Sequence, residues 1–204
     1  MVSTQIIPSG HSGAESAEAF PVPSQTHEIN GRMLLVFDDL FDLRRIDNFA
    51  NIVGKLDFVR RPSFDRELSV GIDRDAFIRA PFLHGTTERL VARYAELFGT
   101  TETTTRLSHV YAAAMTSSAR PKPHRDNDAA KSITFLYYAN ARWLPQWGGE
   151  TVFYIAARRP CTVVGPRPGR LAMFHSNILH RGGAPHRDAP TFRYTISIFY
   201  YPRS

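Results

Sequence analysis

After Thr103 the sequence breaks into short runs rich in β-branched and aromatic residues that alternate with Pro and Gly turns, and no other feature constrains the fold as strongly. The runs are Arg106–Ala113, Ser132–Asn140, Glu150–Ala156, Thr162–Val164, Arg170–His175 and Thr191–Tyr201. Strands so short and closely spaced must pair with one another and bury an apolar face against a second layer. Upstream, the apolar run Met33–Phe37 predicts one strand. Leu40, Leu43, Ile46, Phe49, Ile52, Val53 and Leu56 then recur at helical spacing. A second helix is predicted over Thr86–Phe98, with Thr86 or Thr87 as N-cap and Gly99 as its stop; Leu90, Val91, Tyr94, Leu97 and Phe98 form its buried stripe. Helices first and strands afterwards predict a mainly β, α+β chain: a β-sandwich or barrel with helices packed on one outer face.

A chain of 204 residues suits one domain. Its first 27 residues are rich in Ser, Pro, Gly and Ala without an apolar period, so they are expected to be a flexible tail ahead of a single domain over residues 28–204. No apolar run approaches the ~18 residues of a membrane span. The N-terminus also lacks the basic start and apolar stretch of a secretory signal. Cys161 is the only cysteine, which excludes an intrachain disulfide and any multi-cysteine metal site and fits a reducing cytoplasm. The formal charge of +6 comes from scattered arginines with no long basic run, so nucleic acid is not an expected partner.

Candidate chemistry begins at His124-Arg125-Asp126. In an extended segment residues i and i+2 share a face, so His124 and Asp126 can hold one metal ion, and His180 can complete a two-histidine, one-carboxylate set with open coordination positions. Spacing alone leaves a second reading open, a surface turn continued by Asn127 and Asp128. A second match, His186-Arg187-Asp188, lies between Pro185 and Pro190 and reads as an exposed loop. Phe192–Tyr200 alternates as a half-buried strand that turns Arg193, Thr195 and Ser197 to one face and Tyr194, Ile196 and Ile198 to the other. An inward arginine needs an anion: either the carboxylate of a bound dicarboxylic acid, with Thr195 adding a hydroxyl, or a structural Asp or Glu. Gly148-Gly149 reads as a tight turn. Trp143 and Trp147 line a substrate mouth or anchor surface loops. The arginine-bearing region between Phe58 and Leu83 reads as a lid or a solvated surface.

Taken together, His124-Arg125-Asp126, Thr134–Asn140, Trp143, Gly148-Gly149-Glu150-Thr151, Arg170–Phe174, His180 and Arg193-Tyr194-Thr195-Ile196 resemble, in order and spacing, the prolyl 4-hydroxylase-like branch of the 2-oxoglutarate/Fe(II) oxygenases, closest to the hypoxia-sensing prolyl hydroxylases. The resemblance spans about His109 to Tyr201. It implies a double-stranded β-helix (a jelly roll, cupin-like) with N-terminal helices on one sheet. It implies Fe(II) held by His124, Asp126 and His180, and 2-oxoglutarate held through its distal carboxylate by Arg193. Tyr138 matches the tyrosine whose hydroxyl meets the same carboxylate, Thr195 is a third contact, and Tyr111 matches an upstream tyrosine across a longer intervening stretch. Tyr137, pointing the other way, is expected in the core. O2 is the implied co-substrate and ascorbate an expected stimulant. Asp126 argues against halogenation, because halogenases of the superfamily replace that carboxylate with a small residue. The implied activity is hydroxylation or another oxidation of a C–H bond. The expected substrate is a small molecule, an amino acid or natural-product intermediate, with a protein prolyl residue as the alternative. A nucleic-acid demethylase is disfavoured because no second arginine follows Arg193. The competing class is an inactive jelly-roll binding protein.

Overall fold

The computed structural model describes residues 20–60, 67–79, 81–157 and 159–203. In chain order the elements are β1 (Gln25–Ile29), β2 (Arg32–Phe37), α1 (Leu43–Val53), β3 (Val59–Arg60), β4 (Glu67–Ile72), α2 (Arg74–Arg79) and α3 (Pro81–Tyr94). There follow β5 (Thr105–Met115), β6 (Ile133–Tyr138), β7 (Thr151–Ala156), β8 (Arg159–Val164), β9 (Leu171–His175), β10 (Leu179–Gly182) and β11 (Arg193–Pro202). Eight strands form one antiparallel sheet in the order β1-β2-β9-β6-β11-β5-β4-β3, and three form a smaller one, β10-β7-β8. The two sheets make the expected jelly roll.

Side-chain alternation explains why the large sheet is apolar on both faces. In β6, Ile133, Phe135 and Tyr137 join the helix-side core with Ile46 and Val53 of α1 and Leu83, Leu90 and Val91 of α3. Leu136 and Tyr138 turn the other way, into the core shared with Phe153 and Val164 of the small sheet. Strand β9 does the same, with Leu171 and Met173 on the helix side and Ala172 and Phe174 between the sheets. Tyr137 sits in the core as expected, edge-on to Phe41, Phe49 and Phe82.

Several expectations need correction. Order begins before Met33: Gln25–Ile29 pairs residue for residue with β2, so Gln25, Thr26 and His27 belong to a sheet and not to a tail. Of that expected tail, residues 1–19 lie outside the described residues. α1 is shorter than its apolar spacing suggested, capped by Asp42, whose carboxylate accepts from the Arg45 amide at 2.8 Å. Leu43 and Ile52 are 77% and 60% exposed, so its buried stripe is Ile46, Phe49 and Val53. α3 starts at Pro81, one turn earlier than predicted. Thr86 and Thr87 are interior, their hydroxyls donating back to the carbonyls of Phe82 and His84. Leu97 is exposed, whereas Gly99 ends the following 3-10 turn at φ 64°, as its placement suggested. The region 58–83 supplies strand β4, paired along β5, and helix α2; residues 61–66 within it are not described. Strand β10 was not foreseen, although it carries His180. Among the described residues no helix is long and apolar enough to cross a membrane.

Candidate active site

His124 and Asp126 lie in an irregular stretch tied to the strand that carries the third candidate. The His124 amide donates to the His180 carbonyl at 2.9 Å, and the His180 amide returns the bond to His124 at 2.9 Å. The Asp126 amide donates to the Ser176 carbonyl at 2.9 Å. These backbone bonds bring the three side chains together, with one ligand atom from each within 4.8 Å of the others. His124 Nε2 lies 3.5 Å from one Asp126 oxygen and His180 Nε2 lies 3.6 Å from the other. The surface-turn reading therefore fails for Asp126, whose side chain is 7% exposed. His124 remains open at the rim, its side chain 42% exposed.

The outer contacts set the chemistry of these three groups. His124 Nδ1 faces the Lys122 carbonyl at 3.1 Å and His180 Nδ1 faces the Ile178 carbonyl at 3.0 Å. Each Nδ1 donates its proton there, which leaves both Nε2 atoms turned toward Asp126. The Thr134 hydroxyl donates to Asp126 at 2.8 Å and lies 2.8 Å from Ser176 Oγ. Burial holds His180 below its ordinary value, with the Asp126 charge only partly offsetting it. For Asp126 burial pushes the pKa up, but His180, His124 and Thr134 outweigh it and hold the carboxyl below its usual 3.8. Phe153 and Phe174 pack their rings against His180. Two imidazoles and a carboxylate, turned to one point, form a donor set suited to a divalent transition metal.

A cavity of about 370 Å³ extends from this cluster across the inner face of the large sheet. Its floor carries Arg193, Thr195 and Ser197 of β11 beside Tyr111, Ala113 and Met115 of β5, matching the alternation expected for β11. Arg193 closes the cavity beside the small sheet. It is 2% exposed, donates from Nε to the Gly149 carbonyl at 2.6 Å and from Nη2 to Thr151 Oγ1 at 2.9 Å. Among the described residues no carboxylate lies within ion-pair distance of it, so its structural ion-pair reading has no support.

Tyr138 takes a different place from the one expected. Its ring lies 5.3 Å below the guanidinium. Its hydroxyl donates to the Val164 carbonyl at 2.7 Å and stands 2.8 Å from Thr151 Oγ1. It therefore backs Arg193 from outside the cavity. Three residues that sequence reasoning did not assign now matter. Thr151 lines the cavity and accepts from Arg193, Gly149 supplies the second acceptor, and Gly182 leaves room beside Nη1, where an added Cβ would lie 3.5 Å away. Gly149 belongs to the Gly148-Gly149 turn itself, and Thr151 opens the strand just after it. Neither tryptophan reaches the cavity: Trp143 packs edge-on against Trp147 and donates to the Gly148 carbonyl. His186 and Asp188 pair with each other at 3.2 Å on the exposed surface, as expected of that loop.

Residues 109–201 match the model of the 2OG-Fe(II) oxygenase superfamily. Sequence comparison with curated proteins gives no match. Among solved structures, a prolyl-4-hydroxylase from Pseudomonas putida is similar at TM-score 0.65 and 18% identity, covering 84% of this chain and 93% of that one. A prolyl hydroxylase from Trichoplax adhaerens, in complex with a hypoxia inducible factor peptide fragment, is similar at TM-score 0.61 and 20% identity, covering 83% of each chain. HygX from Streptomyces hygroscopicus, with nickel and 2-oxoglutarate bound, is similar at TM-score 0.58 and 16% identity, covering 83% of this chain and 82% of HygX. At these identities the likeness speaks for the fold alone. Over residues 109–201, a little under half of the chain, the sequence is similar to the 2OG-Fe(II) oxygenase superfamily.

Proposed function

We propose that this 2-oxoglutarate-dependent dioxygenase oxidises a C–H bond of a small molecule, an amino acid or natural-product intermediate. In this reading His124, Asp126 and His180 hold Fe(II), and Arg193 receives the distal carboxylate of 2-oxoglutarate. The observation that carries it is the buried Arg193 guanidinium, with no carboxylate partner among the described residues, in the same cavity as the His2Asp cluster. A buried cation left unpaired is costly, so this one is built for an anion that arrives with the co-substrate. When bound, Fe(II) and 2-oxoglutarate supply the O2-derived oxidant, and succinate and CO2 leave.

The chain's own residues bind, orient and shield. His124 and His180 present Nε2 because their Nδ1 protons are committed to backbone carbonyls. Asp126 stays ionised, and Thr134 fixes one of its oxygens. Gly149 and Thr151 fix the guanidinium plane, so that Nη1 and the outer edge of Nη2 meet a carboxylate bidentately. Thr195 lies two residues along the same face and adds a hydroxyl. Tyr111 lines the same cavity beside Ser197. Phe153 and Phe174 keep water from the inner side of His180.

The small-molecule reading rests on the size of the cavity, about 370 Å³ before co-substrate enters. That is near the lower end of the range for ligand pockets, roughly 300–1,000 Å³. The second reading, a peptidyl prolyl hydroxylase, draws on the similarity to the P. putida and T. adhaerens enzymes. Succinate release from 2-oxoglutarate under air, with and without added small molecules or proline-containing peptides, separates the two. Stimulation by small molecules supports the first reading, and stimulation by peptides alone overturns it. Ascorbate is expected to sustain turnover. An inactive binding protein would release no succinate and would not retain Fe(II).

A further inference from the structure

Pro121-Lys122-Pro123 leads directly into His124, and it does two things at once. The two prolines hold the backbone extended, because each fixes its own φ and Pro123 also keeps Lys122 out of the helical region. That fixed segment aims the Lys122 carbonyl at His124 Nδ1, 3.1 Å away. It also places Lys122 in the cavity lining next to His124, where the residue remains exposed to solvent. Among the described residues its ammonium has no acidic partner.

Charge on the cavity wall points to what the ammonium meets. With the two histidines set aside as candidate metal ligands, the charged lining groups are Lys122, Asp126 and Arg193. Once Fe(II) and dianionic 2-oxoglutarate are in place their charges cancel, and Asp126 offsets Arg193. Lys122 is the charge left over. Its backbone touches His124, so it stands at the metal end, where a substrate C–H bond must lie. A cation placed there draws an anion toward the metal and tethers it at the rim.

We propose that Lys122 is the substrate's anion contact and that the substrate is a small molecule bearing a carboxylate. This rests on the functional reading above and deepens it. Leu136 and Phe174 give the cavity apolar lining, so the carboxylate sits at the rim and the carbon skeleton points inward.

The test uses the intact protein loaded anaerobically with Fe(II) and saturating 2-oxoglutarate, probed with butyrate and with butyramide. The two probes have the same shape and differ in charge. Paramagnetic broadening of the probe's proton NMR lines reports residence near the metal and needs no turnover. The expected result is broadening of butyrate at least about fivefold stronger than of butyramide, falling to the butyramide level in Lys122→Gln. Methyl phosphate serves as a second arm, and broadening stronger for it than for butyrate would replace the carboxylate with a phosphate. Equal broadening of butyrate and butyramide, no broadening of either, or broadening that survives in Lys122→Gln would overturn the proposal. The Fe(II)–2-oxoglutarate absorption band and the melting temperature of Lys122→Gln check that the loaded site is intact. If the wild type forms no such band, the functional reading has failed; if it forms the band but shows no charge preference, only this inference has.

Discussion

The Arg193 guanidinium and the backbone of Gly149 are built around each other: Nε donates to the Gly149 carbonyl at 2.6 Å, and a Cβ at residue 149 would lie 3.0 Å from the arginine's Cδ. Gly149 also has a φ of 83°, which a side chain rarely adopts. Gly149→Ala therefore combines a left-handed backbone penalty of about 1–2 kcal/mol with a displaced arginine. The expected outcome is a KM for 2-oxoglutarate raised about tenfold or more, with Fe(II) affinity little changed, measured by succinate formation. An unchanged KM would mean that the turn is only a turn.

Arg193 is unpaired among the described residues, so removing it should act in opposite directions with and without co-substrate. Arg193→Met relieves a buried uncompensated charge, and the protein without 2-oxoglutarate is expected to melt no lower than wild type. The stabilisation that 2-oxoglutarate gives wild type should disappear, because a ligand raises stability only as far as it binds. Thermal melts at matched Fe(II), with and without 2-oxoglutarate, check both halves.

Thr134 touches the candidate metal site only through Asp126, to which it donates at 2.8 Å. Thr134→Val keeps the shape and removes that bond. Fe(II) affinity is expected to fall about 10- to 100-fold, the usual effect of losing a partner behind a ligand. Equilibrium titration with Fe(II), or Ni(II) as a redox-stable substitute, measures it.

His175 accepts a hydrogen bond at Nδ1 from the Met33 amide at 2.9 Å, joining β9 to β2. Burial, reinforced by the Arg32 charge and opposed by the Met33 carbonyl 3.4 Å from Nδ1, holds its pKa below the ordinary 6.5. The folded protein thus binds this proton less readily than the unfolded chain does. Stability from this group is complete above about pH 6.5, declines as pH falls below it, and levels off beneath the lowered folded value. Melting temperature followed downward from pH 7.5 should drop through this window, and His175→Gln should flatten part of the drop. A parallel decline in wild type and variant would assign it elsewhere.

Much of this architecture was legible in the sequence because period and chemistry agree. β6, β9 and β11 alternate cleanly, and β11 delivers Arg193, Thr195 and Ser197 to the cavity as its pattern implied. His124, Asp126 and His180 could be named because a metal set constrains residue type and spacing together. Elements whose burial is decided by distant partners were harder to read. Gln25–Ile29 has little strand character of its own and is ordered by pairing with β2. Leu43 and Ile52 fit a helical stripe, yet the sheet covers only the face with Ile46, Phe49 and Val53. Tyr138 was assigned by motif to the co-substrate, but Val164 and Thr151 take its hydroxyl. Thr151 and Gly149 act through one side-chain and one backbone oxygen on an arginine more than forty positions away, a link no local pattern carries.

The central claim is that one cavity binds Fe(II) at His124, Asp126 and His180 and 2-oxoglutarate at Arg193. An anaerobic titration of the purified protein with Fe(II) and 2-oxoglutarate, followed by the visible charge-transfer absorption of the chelate, tests it directly. The account predicts a saturable band in wild type that is absent in His180→Ala and needs a far higher 2-oxoglutarate concentration in Arg193→Met. Absence of the band in wild type, or its persistence unchanged in both variants, would contradict it.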